Sequence, residues 1–350
     1  MVIQYKCPDC GADMAFDSKT GRLHCDSCGH EEVVENFSNA DFEDFEESFH
    51  SSTFENEDVK QYQCKNCGAI LLTDKDTTAT TCSFCGAPVI LGDRLSGELA
   101  PSKVIPFSIS KKEAEAAFKK WCGHSFLFPD EFKKAIRVKQ LVGMYVPFWL
   151  YDSCGQGEVM AHCTRVRTTD DGDYITTHTS HYDVYRKANI IYRNIPADAS
   201  EKMPDDMMDK LEPFDYSNMK KFNAPYLAGF ISEKYNYTDR EMFPRIQSRI
   251  SNYMDTYMHN SIRGYSSVNF VNRNYNIRQL KAEYALFPVW MVYYDYDHSE
   301  YTFAMNGQTG KIVGKPPISA PKVIGSIAGL TAIMFIICRI ITIIQGGPLL

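Results

Sequence analysis

An α+β fold is predicted by three features of the sequence. Two four-cysteine clusters repeat one spacing near the N-terminus, two helix-then-strand units each carry a Pro-x-Trp motif, and a single long apolar run lies near the C-terminus. In chain order the reading is a first small ribbon over 1–30, an acidic segment over 31–60 and a second ribbon over 61–95. An α+β domain with a weak internal duplication follows over 100–315, and a transmembrane helix over 323–344.

The cysteines come first. Cys7 and Cys10 are followed after fourteen residues by Cys25 and Cys28, and Cys64 and Cys67 are followed after fourteen residues by Cys82 and Cys85. A two-residue gap lets one tight turn supply two soft ligands, and a tetrahedral zinc ion needs four. Gly11, Gly29, Gly68 and Gly86 each follow the second cysteine of a pair, where a positive φ is expected. The eight cysteines read as two zinc ribbons holding two structural Zn²⁺ ions. With four cysteine ligands at each site, no position is left open for catalysis. The competing reading, a disulfide framework, lacks a secretory signal ahead of the first ribbon.

Charge bears on what the ribbons bind. The formal net charge is −7, and residues 31–59 hold eleven Asp and Glu with no Lys or Arg, so −7 without those eleven charges leaves +4 on the rest. Each zinc with four thiolates adds −2. Neither ribbon is a basic patch, so the electrostatic footprint of a DNA or RNA binder is missing. Within the acidic segment, Phe42, Phe45 and Phe49 fall on one face if Asp41–Phe49 is helical. The plain reading of 31–60 is a solvated linker, and the sharper one is an acidic–aromatic docking motif.

The third region repeats a pattern. Ser110–Glu113 is a capping box that starts a helix with Ala114, Ala117, Phe118 and Trp121, and a strand around Pro147-Phe-Trp149 follows. Thr238–Glu241 is a second capping box, leading a helix through Ile246, Ile250, Tyr253 and Tyr257 to a strand around Pro288-Val-Trp290. Each proline is expected at the start of its strand, where no ladder bond is yet needed. Further strands are expected over 174–186, 188–192, 301–305 and 311–314, the last two flanking a hairpin loop at 306–310. Short helices are expected over 205–211 and 224–233.

Val323 to Ile344 holds twenty-two residues with one charge, Arg339. At 1.5 Å per residue it spans roughly 33 Å, enough for a bilayer core. Lys311, Lys315 and Lys322 precede the run, which places the N-terminal side in the cytoplasm. Thiolate metal ligands also persist best in a reducing compartment. The expected location is the cytoplasmic membrane, crossed once. Gly325 and Gly329 fit a small-xxx-small pattern that pairs helices, which leaves oligomers open.

Cys122, Cys154, Cys163 and Cys338 read as small buried apolar side chains rather than nucleophiles, and His162 beside Cys163 shows no base–orienter arrangement that would make it catalytic. His178 and His181, three apart on a strand, point to opposite faces and do not chelate together. No phosphate loop, dinucleotide fingerprint or H-E-x-x-H is present.

The two ribbons together with VPFWLYD (146–152), YRNIPADAS (192–200), LEPFDYS (211–217), YLAGFISEKY (226–235), LFPVWMVYY (286–294) and AMNGQTGKIVG (304–314), then the apolar span, resemble the bacterial transcription-factor-IIB-type zinc-ribbon membrane proteins. The resemblance covers nearly the whole chain. It carries over only the eight cysteines as binding residues, and it implies membrane anchoring of cytosolic partners of the phage-shock, membrane-stress type. Together these features predict a non-enzymatic adaptor that docks cytosolic or membrane-associated proteins at the lipid bilayer. The rivals are a membrane-tethered nucleic-acid-binding regulator and an enzyme built on 100–315.

Overall fold

A computed structural model describes residues 2–37, 59–95, 100–124, 126–130, 132, 140–296 and 299–344. The expected helix over Asp41–Phe49 lies outside these residues. The first ribbon contributes β1 (Val2–Ile3), β2 (Ala15–Asp17), β3 (Arg22–His24) and β4 (Glu31–Val33), and the second contributes β5 (Val59–Gln63), β6 (Ile70–Asp74), β7 (Thr77–Thr81) and β8 (Pro88–Leu91). The α+β region opens with β9 (Lys103–Val104) and α1 (Lys111–His124). Two long strands follow, β10 (Gln140–Asp170) and β11 (Ile175–Asp198), and then α2 (Asp205–Leu211), β12 (Lys220–Lys221) and β13 (Ile231–Glu233). The last part is α3 (Asp239–Ser261), β14 (Ser267–Tyr296), β15 (Ser299–Asn306), β16 (Ile312–Gly314) and α4 (Ala320–Ile344).

The ribbons are not beads on a string. The main sheet runs β1-β8-β7-β13-β10-β14-β15-β16, so the second hairpin of ribbon two is part of it. Its first hairpin, β5–β6, and the first ribbon's β2-β3-β4 are separate small sheets. Ribbon one docks through Phe16, whose amide donates to the Ala228 carbonyl at 3.0 Å and whose ring meets Tyr226 edge-on at 5.2 Å. Asn223 Nδ2 donates to the carbonyls of Val34 at 2.9 Å and Phe37 at 2.6 Å, closing the ribbon's far end onto the domain.

The two helix-then-strand units meet at the centre of the sheet. β11-β10-β14-β15 are consecutive antiparallel neighbours, so each long central strand has its own hairpin partner outside it. Val146 lies directly opposite Phe287, and each is the residue just before its motif's proline. Both helices start with completed capping boxes. Ser110 Oγ accepts from the Glu113 amide while Glu113 Oε2 accepts from the Ser110 amide, and Thr238 and Glu241 repeat the exchange.

The tryptophans cross between halves. Trp149 Nε1 donates to the Tyr237 carbonyl at 2.8 Å, one residue before the Thr238 cap of the second helix. Trp290 Nε1 donates to the Ile109 carbonyl at 3.0 Å, one residue before the Ser110 cap of the first. Each half therefore holds the start of the other half's helix.

Three expectations change. Pro147 and Pro288 sit inside their strands rather than at the start. The Pro147 carbonyl accepts from the Ala199 amide and the Pro288 carbonyl from the Gly307 amide, one residue past the ends of β11 and β15. A residue's amide and carbonyl face the same neighbour in a sheet, so each proline nitrogen points to where the outer strand has just ended. The two segments expected over 174–186 and 188–192 are one strand, β11, which continues past them because β10 supplies a partner at nearly every residue. Residues 224–233 form a single 3-10 turn (Ala224–Leu227) and then β13; Gly229, at φ +91, ends the helical path between them.

Beyond the pseudo-symmetric centre, β10, β11 and β14 extend as a three-stranded arm. α3 covers one face, burying Met242, Ile246, Ile250, Met254 and Met258 against Val159, Ala161, Cys163, Val184 and Ile277. The approach is close: a Cβ on Gly155 would stand 2.5 Å from Met254 Sδ, so any side chain there would displace Met254. At the arm's root, buried Asp198 accepts from Arg245 Nη1 at 3.0 Å. The same guanidinium reaches Asp205 at 3.1 Å and Asp209 at 2.7 Å, tying α2 to α3.

Candidate metal centres

Each cysteine pair builds the same small turn. Cys7, Cys25, Cys64 and Cys82 donate their amides to the carbonyls of Ala12, His30, Ala69 and Ala87 at 2.8–2.9 Å. Their own carbonyls accept from the amides of Gly11, Gly29, Gly68 and Gly86 at 2.8–2.9 Å. Those glycines have φ of +74, +78, +74 and +75, a region a side chain disfavours. Two such turns facing each other make one cluster, and the chain does this twice.

Cys7, Cys10, Cys25 and Cys28 bring their sulfurs together, and so do Cys64, Cys67, Cys82 and Cys85; within each cluster all sulfurs lie within 4.8 Å of one another. In the second, Cys64–Cys85 and Cys67–Cys82 are both 3.8 Å apart, and in the first Cys7–Cys28 is 3.4 Å and Cys10–Cys25 3.5 Å. Four thiolates about 2.3 Å from a tetrahedral ion stand about 3.8 Å apart, so the donor set fits a metal ion in both number and size. All eight cysteines are free of disulfides. One cysteine of each turn is buried and the other exposed.

Within each set the surroundings divide the thiols: despite the backbone amides of His30 and Ala69, neighbouring thiols and burial push Cys28 and Cys67 up to about 12, while others are held down. The Ala87 amide, joined by Asn66 Nδ2 at 3.6 Å, holds the Cys85 thiol down at about 6. The Cys28 amide holds Cys25 at about 7 against the opposing effect of burial. Charge-assisted donors of this kind stabilise the form a metal binds.

The two centres are neighbours through side chains that carried no sequence signal of their own. Gln4 Nε2 lies 3.6 Å from Cys64 Sγ, and Lys6 Nζ donates to Asn66 Oδ1 at 2.9 Å. Gln4 and Lys6 belong to the first ribbon, and Asn66 sits inside the second cluster's Cys-x-x-Cys.

The other candidates stay apart from these centres. Cys122, Cys154 and Cys163 are buried as expected, and burial pushes the Cys122 thiol up to about 11; Cys338, also expected to be buried, is instead exposed on α4, which packs none of its apolar window against the rest of the protein. His162 pairs with Asp183 on the exposed face of the arm, while His178 and His181 are exposed farther out, opposite Arg167 and Thr164. A cleft of about 350 Å³ between ribbon one and the α+β domain is lined by Phe16, Lys19, Glu35, Phe107, Lys220 and Tyr226 among others, with no cysteine or histidine.

At the other end of the chain, α4 contains one helix segment, Ala320–Ile341, with mean hydropathy 2.2, long and apolar enough to cross a membrane. None of that window is buried against the rest of the protein, unlike a core helix.

No protein-family model matches the sequence, and no solved structure matches it. The chain is 51% identical over 347 residues to the uncharacterized protein YdjG of Bacillus subtilis (strain 168), covering 99% of each.

Proposed function

This chain belongs to the same family as YdjG of Bacillus subtilis, and for it we propose the function of a non-enzymatic, membrane-anchored zinc-ribbon adaptor. It docks cytosolic proteins at the inner face of the cytoplasmic membrane. Zinc is the metal of both clusters, where it supplies folding energy to modules too small for a core of their own. α4 is the anchor. Lys311, Lys315 and Lys322 on its N-terminal side keep the ribbons in the cytoplasm.

One observation carries the protein-docking part. Ribbon two exposes three large apolar side chains, Ile70 at 61%, Leu72 at 66% and Phe84 at 75%. Ile70 and Leu72 share the outer face of β6, and Phe84 sits inside the Cys82–Cys85 turn. Apolar side chains presented by a rigid, metal-held turn suit a protein partner. Nucleic acid would instead call for basic residues, which the ribbons lack in excess.

Two experiments test the reading. Deleting residues 320–350 is expected to move the protein from the membrane fraction to the soluble fraction, and external protease is expected to leave the ribbons intact in whole cells. Ribbons degraded from outside would reverse the orientation. The purified full chain in detergent is expected to capture protein, with recovery falling at least fivefold in an Ile70→Ser, Leu72→Ser, Phe84→Ser variant that keeps its two metals. Its retention of DNA or RNA is expected to be weak at about 0.15 M salt, where the Debye length is roughly 8 Å. Submicromolar, steeply salt-dependent binding of a defined oligonucleotide would replace the adaptor with a nucleic-acid-binding regulator.

A further inference from the structure

A second apolar element is fastened to the first turn of α4. The Ser319 amide donates to the Leu127 carbonyl at 2.9 Å. Lys322 Nζ donates to the Phe128 carbonyl at 3.0 Å and to Asp130 Oδ1 at 2.6 Å, and it lies 5.8 Å from the centre of the Phe126 ring. The turn 126–130 thus cannot leave the start of the helix without breaking all of these contacts. Phe128 is turned inward, buried against Trp121 at 5.5 Å. Its two predecessors are turned outward, Phe126 at 68% and Leu127 at 37% exposure, and Ile318 beside Ser319 is exposed at 62%. Lys119 and Lys120, also exposed, lie at the end of α1 next to Trp121.

Position decides what covers this cluster. α4 has twenty-five residues, about 37 Å of helix, against a hydrocarbon core of about 30 Å. Little more than one turn is left over, so Ser319 and Lys322 lie at the boundary between headgroups and acyl chains. Hydrogen bonds of 3 Å or less hold 127–130 at that same level. Lys322 can keep its ammonium in the polar layer while its stem passes the Phe126 ring, as lysines do at helix ends. Aromatic and aliphatic side chains with basic neighbours are the composition of an interfacial membrane contact.

We propose that Phe126, Leu127 and Ile318 form a wedge that inserts into the cytoplasmic-side boundary of the bilayer. It gives the domain a second lipid contact besides its helix. The wedge rests on the reading of α4 as a membrane span. With two points of attachment rather than one, the α+β domain and the ribbons on it are held at a set angle to the membrane instead of swivelling on the 315–319 segment.

The test uses the full chain in nanodiscs of phosphatidylethanolamine and phosphatidylglycerol, with the photo-reactive residue p-benzoylphenylalanine placed singly at 126, 334 or 174. Position 126 is already an exposed aromatic, and a metal content near two per chain checks that each protein is folded. Lipid adducts, read by mass spectrometry, are expected from 126 and from 334 in mid-helix, and none from 174 at the tip of the β10–β11 hairpin. Adducts from 334 without any from 126 would refute the wedge and leave the span standing. Adducts from neither would refute both, and equal adducts from 126 and 174 would reduce the wedge to non-specific contact with lipid.

Discussion

Replacing Cys82 and Cys85 with Ser should halve the metal content of the purified protein from two ions per chain to one, and it should also loosen the main sheet. Two of four ligands are lost, which abolishes tight tetrahedral binding. Structural zinc sites are worth on the order of 10–16 kcal/mol of binding free energy, so the affected module is expected to unfold. The reach of the damage follows from topology. β7 and β8 flank the Cys82–Cys85 turn, and β7 is the neighbour of β13 in the sheet that holds β10 and β14. The matching Cys25→Ser, Cys28→Ser variant should also read one ion per chain, but of the first ribbon's strands only the two-residue β1 joins the main sheet, at its edge beside β8, while β2, β3 and β4 form a sheet of their own. Limited proteolysis should therefore cut the second-cluster variant near 231–236 and spare that region in the first-cluster variant. Metal analysis giving near zero for the wild type, with intact disulfides in place of thiols, would sink the assignment of both sites.

The second large effect is expected at Arg245. Asp198 is buried, and burial pushes its carboxyl up to about 7 despite the Arg245 guanidinium beside it. Arg245→Ala should destabilise the protein by about 3–5 kcal/mol at pH 8, because a buried carboxylate is left without its partner. At pH 6 the cost should be smaller, since the folded state then keeps Asp198 protonated. The sign follows from linkage. A carboxyl whose folded value lies above its ordinary 3.8 binds its proton more tightly in the folded protein. Its stabilising effect is complete below about 4 and is lost as pH rises through about 7. Asp198→Asn should accordingly flatten that part of the wild-type profile, and in its background Arg245→Ala should cost much less. Urea midpoints of the detergent-solubilised full chain at the two pH values decide this. An Arg245→Ala penalty equal at pH 6 and pH 8 would mean that Asp198 is not the group that feels it.

What could be read from the sequence was local. The cysteine turns carry their geometry within six residues, since the Cys-x-x-Cys-Gly run itself demands the positive φ seen at Gly11, Gly29, Gly68 and Gly86. The capping boxes likewise close within three residues, and the apolar helix declares itself by composition. The illegible parts are long-range. Nothing near Trp149 indicates a partner 88 residues away, or near Trp290 one 181 residues away. The prolines suggested strand starts because their own hydrogen bonding is all that local reasoning sees. Their tolerance inside the strands depends on where β11 and β15 stop. The docking of ribbon one through Phe16 and Asn223 was hidden for the same reason: a surface aromatic and a loop asparagine acquire meaning only once the domain stands beside them.

The crossed tryptophans have a consequence for the order of events at the ribosome. The carbonyl of Ile109 waits for Trp290, which is synthesised 181 residues later. At about 5–20 residues per second that is roughly 10–40 s. During this interval the first capped helix lacks its clasp, and β10 lacks the neighbour that pairs with most of its length. The cysteine clusters need no such wait, because each is complete once its fourth ligand has emerged. The two cysteine clusters are thus the first parts of the nascent chain able to close. The last strands of the domain emerge just ahead of the apolar helix, so the sheet can close only as that helix is being made.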